Sequence, residues 1–442
     1  MRSSSTPFTH AHARYGSRRA VRARGVLVKT VMTVMAMSAV ACGSSAATAA
    51  DPGNASGVLP PYTGTLLASG RMASLAPAAR QEWESYVLAS RSGMAADQQR
   101  VQGELRTLGA ASVRRPPNTA SDFTWQSQWT AAWAASTAGR TLISTVRSYQ
   151  TPSGGWGKHI DYAQGPRQPG MGYNSESDEW AYVGTIDNSA TVTEMRLLAL
   201  AAATDTAAAG AFDRGLSYLL QAQFPGGCWP QVFPLMGSYH DAITNNDDAL
   251  VNVVRLLRDV SFGRHAFVRA GRRAQAAVAV DRASNCLVAI QVVVDGARTT
   301  WAQQHDPITG VPVIGRSYEL PGLAGREGAR VMDVLMEDPA PSATVAAAVH
   351  AAAAWYRRTA IPNVVYIADA GLVTSQGSGP LWPRVTEINS GRALFANRDG
   401  IPLYDYALLT DRRSGYAWYS SEPASSLNRY ATWSRVHPQQ LR

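Results

Sequence analysis

Six Asp or Asn residues crowd two short stretches, Thr185-Ile186-Asp187-Asn188 and Thr244-Asn245-Asn246-Asp247-Asp248. Superposing Arg196-Leu197-Leu198 on Arg255-Leu256-Leu257 sets Asp187-Asn188-Ser189-Ala190 over Asn246-Asp247-Asp248-Ala249, so both stretches open an apolar helical segment in the same way. A helix N-cap needs one side-chain oxygen. The surplus suggests a hard-cation site, because calcium takes about six to eight oxygen ligands, largely carboxylate and carbonyl. The two stretches are therefore a candidate cation site; capping two helix starts and favouring their dipoles is the plainer use of the same residues. Lys158 stands out by composition. The chain has two lysines, Lys29 and Lys158, so beyond the first 50 residues arginine supplies every other positive charge. A lone lysine beside Gly154-Gly155-Trp156 suggests that a compact ammonium is wanted there.

The elements that must position these residues form a repeat. A helical segment at 130–150 ends in Gln150 and leads to Gly154-Gly155-Trp156; one at 211–223 ends in Gln223 and leads to Gly226-Gly227-Cys228-Trp229. A looser third copy runs from 276–291 to Gly296 and Trp301. Between the copies lie the Asp-opened helices at 187–203 and 247–260. Each unit is two helices and a glycine-tryptophan loop, and short connections make such helices antiparallel neighbours that close into a toroid or bundle. Residues 81–122 read as a helical extension, with apolar positions at helical spacing from Ala78 to Leu108, and residues 51–80, rich in Gly, Pro, Ala and Ser, as a linker. The main domain spans 123–442. From about 361 its Val, Tyr, Trp and Gly content and turn signals such as Arg398-Asp399-Gly400 predict strands.

The formal charge of +9 points to polyanions until it is divided. Residues 1–50 carry seven basic residues and no acid, leaving 34 basic against 32 acidic, so the remainder is nearly neutral and no nucleic-acid partner is expected. Those first 50 residues read as an export leader: a basic region through Lys29, an apolar stretch Thr30–Ala41, and small residues to Ala50. The apolar stretch is too short to span a membrane. Ala39-Val40-Ala41-Cys42 resembles a lipoprotein processing site without its usual leucine, so membrane attachment would require lipidation at Cys42. A secreted or periplasmic protein is expected, monomeric, with a surface lipid anchor as the variant. Cys228 and Cys286 allow one disulfide in such a compartment without demanding it.

Gly154-Gly155-Trp156-Gly157-Lys158-His159-Ile160-Asp161, Thr185-Ile186-Asp187-Asn188, Asn246-Asp247-Asp248-Ala249, Arg316-Ser317-Tyr318-Glu319-Leu320-Pro321 and Arg398-Asp399-Gly400 occur in that order. In this the chain resembles the pectate lyases of polysaccharide lyase family ten over roughly residues 80–440. The resemblance implies a mainly α fold, an incomplete (α/α)3 toroid of antiparallel helix pairs with a smaller strand-containing C-terminal part. It implies cleavage of polygalacturonate by calcium-dependent β-elimination. It places calcium on Asp187, Asp247 and Asp248, makes Arg316 the Brønsted base, and sets Arg384, Arg398 and Arg413 on uronate carboxylates; Lys158, by its isolation, and Tyr318, as an aromatic, join them as candidate substrate contacts. Two departures are visible: His159 stands where Asn is common, and Gly325-Arg326-Glu327-Gly328 lacks the usual serine.

The residue types suit that chemistry. Removing the C5 proton builds charge beside a carboxylate, which a cation or a bidentate guanidinium offsets. A guanidinium is an awkward base at neutral pH, so Arg316 also suits a carboxylate clamp or a partner of Glu319 or Glu327. Trp156, Trp229, Tyr239 and Tyr318 are candidate faces for sugar rings. The alternatives are another toroid uronate lyase, a glycoside hydrolase in which two of the acids flank the bond, or a non-catalytic pectin-binding surface lipoprotein.

Overall fold

Apolar patterning and caps set eleven helices in the structure, a computed structural model that describes residues 64–439. The expected export leader, Cys42 and the start of the expected linker lie outside the described residues. Helices α1 (Ser69–Met72) and α2 (Pro77–Leu108) come first; α2 starts with Pro77, whose missing N–H costs nothing in a first turn, and stops at the left-handed Gly109. The single helix expected at 130–150 is two, α3 (Ala131–Ala134) and α4 (Thr137–Ser148), because Thr130 and Ser136 each cap a new start by accepting the N–H of Trp133 and Gly139.

Three helix pairs then make the frame: α5 (Val192–Ala201) with α6 (Thr206–Ala222), α7 (Ala249–Ser261) with α8 (Ala270–Ile290), and α9 (Arg326–Met336) with α10 (Ala343–Thr359). The first member of each pair is buried along most of its length and the second keeps an exposed face, so α5, α7 and α9 line the inside of an incomplete (α/α)3 toroid. Helix α11 (Glu422–Val436) closes against α9 and α10.

The glutamine-tryptophan repeat is a hydrogen-bonded corner. Gln150 Nε2 donates to the Gly154 and Ala211 carbonyls, Gln223 Nε2 to Gly227 and Ala279, and Gln291 Nε2 to Thr299 and Ala348. Each glutamine thus ties its own loop to the next exposed helix. Trp156, Trp229 and Trp301 donate their indole N–H back to Val146, Leu219 and Leu287, and a fourth, Trp382, donates to Tyr356. All four rings are buried, so Trp156 and Trp229 are core residues and not sugar platforms, correcting the expectation above. Gly154 and Gly227 hold the corners at φ near 100°, where a Cβ would meet the Arg214 and Arg282 carbonyl oxygens at 2.5 and 2.3 Å.

Short antiparallel strands stitch successive loops together: Gly184–Thr185 with Val232–Phe233, Ile243–Thr244 with Gln304–His305, and Leu323–Ala324 with Val385–Thr386. A C-terminal layer adds the hairpin Val364–Ile367 with Gly371–Thr374 and a small core of Tyr318, Phe395, Tyr406, Trp418 and Tyr419. The disulfide Cys228–Cys286 fixes the second corner to α8.

The linker expected to run to residue 80 ends earlier. Leu67 and Met72 are buried in the main core, and Arg71 pairs with Asp306 at 2.7 Å. Helix α2 is equally integral: Trp83 and Val87 enter the same core, and buried Asp97 accepts the Ser153 N–H.

Candidate active site

The two oxygen-rich corners share an unusual backbone. Asn188 and Ser189 have φ of 52° and 62°, and the aligned Asp247 and Asp248 have 48° and 61°. Left-handed non-glycine residues cost energy and persist where the surroundings over-determine them. The repeat therefore preserves a strained corner twice, more than capping requires, and the two corners pack on one another.

Asp187 is 3% exposed. Its Oδ2 accepts Lys158 Nζ at 2.7 Å, and its Oδ1 is buried without a hydrogen-bond partner. Lys158 also meets Glu176 at 3.4 Å and lies 5.0 Å from the Trp180 ring centroid. Burial alone would lower the Lys158 pKa; the Asp187 and Glu176 charges outweigh it and hold the ammonium protonated. Asp247 is pushed up to about 6, first by burial and then by the charges of Asp187 and Glu327, against the opposing charge of Arg384, whose Nη2 lies 3.8 Å from its Oδ1. Asp248 differs. Its Oδ2 is taken by Arg326 at 3.2 Å and Arg330 at 3.7 Å, so it faces an arginine cluster, while its Oδ1, like that of Asp187, is buried without a hydrogen-bond partner.

Among the described residues no three carboxylates, histidines or thiols converge as a ready-made metal cage. The donor chemistry still fits calcium in part: Asp187 Oδ1 is an orphaned buried carboxylate oxygen, and Asp247 gains by any added positive charge. A substrate carboxylate would supply further oxygens.

Opposite these acids runs a ladder of arginines and tyrosines. Arg316 lies 5.0 Å from the Tyr318 ring centroid, Arg412 lies 4.3 Å from Tyr318 and 5.3 Å from Tyr416, and Arg384 lies 4.1 Å from Tyr416. Glu319, 1% exposed, accepts both the backbone N–H and Nη2 of Arg316. Burial would lower the Arg316 pKa; the hydrogen bond and charge of Glu319 reverse that and raise it above the ordinary arginine range. Arg384 is likewise raised, burial opposed chiefly by Glu327, which it meets at 2.9 Å, and its Nη2 also donates to Asn246 Oδ1 at 3.2 Å. Among the described residues no carboxylate pairs with Arg412. Acids and ladder share one space, since the charges of Asp187 and Arg316 both act on half-buried Tyr239 and on His240, whose pKa burial lowers to about 4.

The remaining expected residues fall less simply. Tyr318 is 7% exposed with its ring against Arg316 and Arg412, which suits orienting guanidinium groups better than receiving a sugar. Arg398 is exposed beside Asp411, while its carbonyl accepts Ser317 Oγ and so fixes it next to Arg316. The Arg413 guanidinium donates to the Leu409, Asp369 and Ala407 carbonyls, which bind the C-terminal layer; its neighbour Arg412 is the one brought to the ladder. Sequence reasoning passed over Glu176 and Tyr416, which carried no signal, and reached Arg412 only as the neighbour of Arg413.

Residues 150–427 match the pectic acid lyase family. Among solved structures, the family 10 polysaccharide lyase from Cellvibrio cellulosa is 29% identical with a TM-score of 0.61, covering 70% of this chain and 93% of that one. An aspartate-to-alanine mutant of that family 10 lyase, in complex with trigalacturonic acid, matches with the same identity and TM-score over 68% of this chain and 95% of its own. No curated protein gives a significant match. With more than half its length matched and the toroid and paired corners in place, this chain belongs to the pectic acid lyase family and is a family ten polysaccharide lyase acting on pectate.

Proposed function

We propose that this lyase is an exported enzyme that cleaves polygalacturonate by calcium-dependent β-elimination, with Arg316 taking the C5 proton. The observation that carries the reading is the pairing of a buried, unpartnered Asp187 oxygen with an arginine ladder whose Arg412 has no acid of its own among the described residues. Asp187 and Asp247 would hold calcium, which supplies positive charge against the uronate carboxylate and so eases carbanion formation at C5. Arg384, fixed by Glu327 and Asn246, and Arg412, held between two tyrosines, present donors to substrate carboxylates in the fork geometry that planar anions match. The C5–H electrons form the C4=C5 double bond, the C4–O4 bond breaks, and O4 leaves with a proton from solvent. The bound trigalacturonate of the related structure supports the substrate class. Export is supported by the basic and apolar leader and by Cys228–Cys286, a bond favoured in oxidising compartments.

Glu319 favours a second reading of Arg316, as a permanently charged clamp. Two variants separate them. If Arg316 is the base, Arg316→Ala abolishes turnover and leaves oligogalacturonate affinity near wild type, because the lost interaction is made in the transition state. Arg384→Ala weakens binding and rate together. Loss of affinity in Arg316→Ala as large as in Arg384→Ala, with turnover retained at saturation, establishes the clamp.

A further inference from the structure

We infer that Trp125 is a sugar-stacking subsite for polyuronate, extending the groove past the Asp187 corner through a segment that lies before the family-matched residues 150–427. This rests on the substrate proposed above and adds a part of the chain that the family match does not cover.

Eleven of the twelve tryptophans are at least partly buried; Trp125 is 44% exposed. Its ring is nonetheless held from behind. Trp125 packs edge-on against Trp129 at 5.5 Å, Trp129 stacks on Trp133 at 5.7 Å and touches Phe123 at 5.3 Å, and Phe123 meets Tyr162 at 4.7 Å. Tyr162, buried, donates its hydroxyl to Glu194 Oε1 of α5, the helix that follows the Asp187 corner. An aromatic column therefore runs from the core helix of the site to one solvent-facing indole. A residue serving only as core filler would have its ring covered; this one is braced and left open, which lowers the conformational entropy lost when a flat apolar face is covered.

The segment is continuous with the site. Asp122, three residues before Trp125, accepts Asn188 Nδ2 at 2.7 Å and meets His159 Nε2 at 3.2 Å. Asn188 follows Asp187, and His159 follows Lys158. Asp122, Phe123, Lys158, His159, Asn188 and Glu194 line one small cavity at this rim. On this inference a polymer bound at Asp187 leaves over this rim and reaches Trp125, three residues beyond Asp122. The chemistry fits a pyranose: its C–H face packs on an indole while its hydroxyl and carboxylate edges stay in water.

The test uses the full chain, with Arg316→Ala to stop turnover, and titrates polygalacturonate and trigalacturonate by calorimetry with Trp125 intact, as Trp125→Ala, and as Trp125→Phe. Trp125→Ala is expected to weaken polymer affinity about tenfold, the scale of one aromatic contact. Trimer affinity is expected to stay unchanged and Trp125→Phe to recover most of the loss. In the turnover-competent chain the same change raises KM for polymer and leaves kcat. Unchanged polymer affinity overturns the inference, as does an equal loss on polymer and trimer, which makes Trp125 a brace for the groove. A chain that cleaves polygalacturonate while ignoring Trp125→Ala refutes this subsite alone; one that neither binds nor cleaves it refutes the functional reading as well.

Discussion

Glu319→Gln moves the pH profile of the enzyme in a direction that depends on what Arg316 does. Glu319 holds Arg316 through its backbone N–H and its guanidinium, and its hydrogen bond and charge lift the arginine above its ordinary range. Hydrogen bonds to charged groups contribute about 1.5–3 kcal/mol, which at about 1.4 kcal/mol per pH unit is roughly one to two units. The Arg316 side chain is 42% exposed, so solvent screening reduces the effect to about one unit. Removing the negative charge lowers the Arg316 pKa, so more of it is neutral at any given pH. The alkaline-rising limb of kcat/KM for polygalacturonate therefore shifts about one unit toward neutrality, even if the plateau falls because the side chain is less well oriented. Initial rates of unsaturated-product formation across the alkaline range measure the limb, with Glu319→Asp, which keeps the charge, as the control for lost orientation. A limb that stays in place or moves upward refutes deprotonation of Arg316 as the limiting step.

Asp187→Ala is expected to lower calcium-supported turnover by at least about a hundredfold, with rates measured across a calcium titration, and to cost only about 1–3 kcal/mol in urea unfolding, since Lys158 keeps Glu176. Replacing Cys228 and Cys286 by serine opens a link between residues 58 apart in sequence and should cost about 4 kcal/mol in the same assay. Burial pushes Asp97 up to about 7 and Glu194 up to about 8 while it lowers His240 and His305 to about 4, so the extra protons these acids hold in the folded state go unopposed by those histidines between pH about 6.5 and 8. Stability should thus fall as pH rises through that window; a thermal midpoint series tests this, and Asp97→Asn with Glu194→Gln should flatten it.

The repeat was legible because each corner is local: a glutamine ending a helix, a glycine at positive φ and a tryptophan a few residues on. The fourth corner escaped because Trp382 lies 26 residues beyond the Tyr356 carbonyl it serves. Trp156 and Trp229 were misread as possible platforms since sequence shows an aromatic but not what covers it. Leu67 and Met72 sit among small residues, so composition hid two core side chains in an apparent linker. At the site, pairs close in sequence were within reach, as Arg316 with Glu319. The partners of Lys158, Arg384 and Asp248 come from distant segments and depend on how the helix pairs dock. Arg412 and Arg413 are neighbours of one type, and only the fold decides which joins the ladder and which binds backbone carbonyls.

The most direct test is to incubate the purified chain with demethylated polygalacturonate, with calcium or with excess chelator, and follow the absorbance of the 4,5-unsaturated product. The account predicts unsaturated oligogalacturonates that form with calcium and cease to form with chelator. Saturated products, or equal rates in chelator, would contradict it.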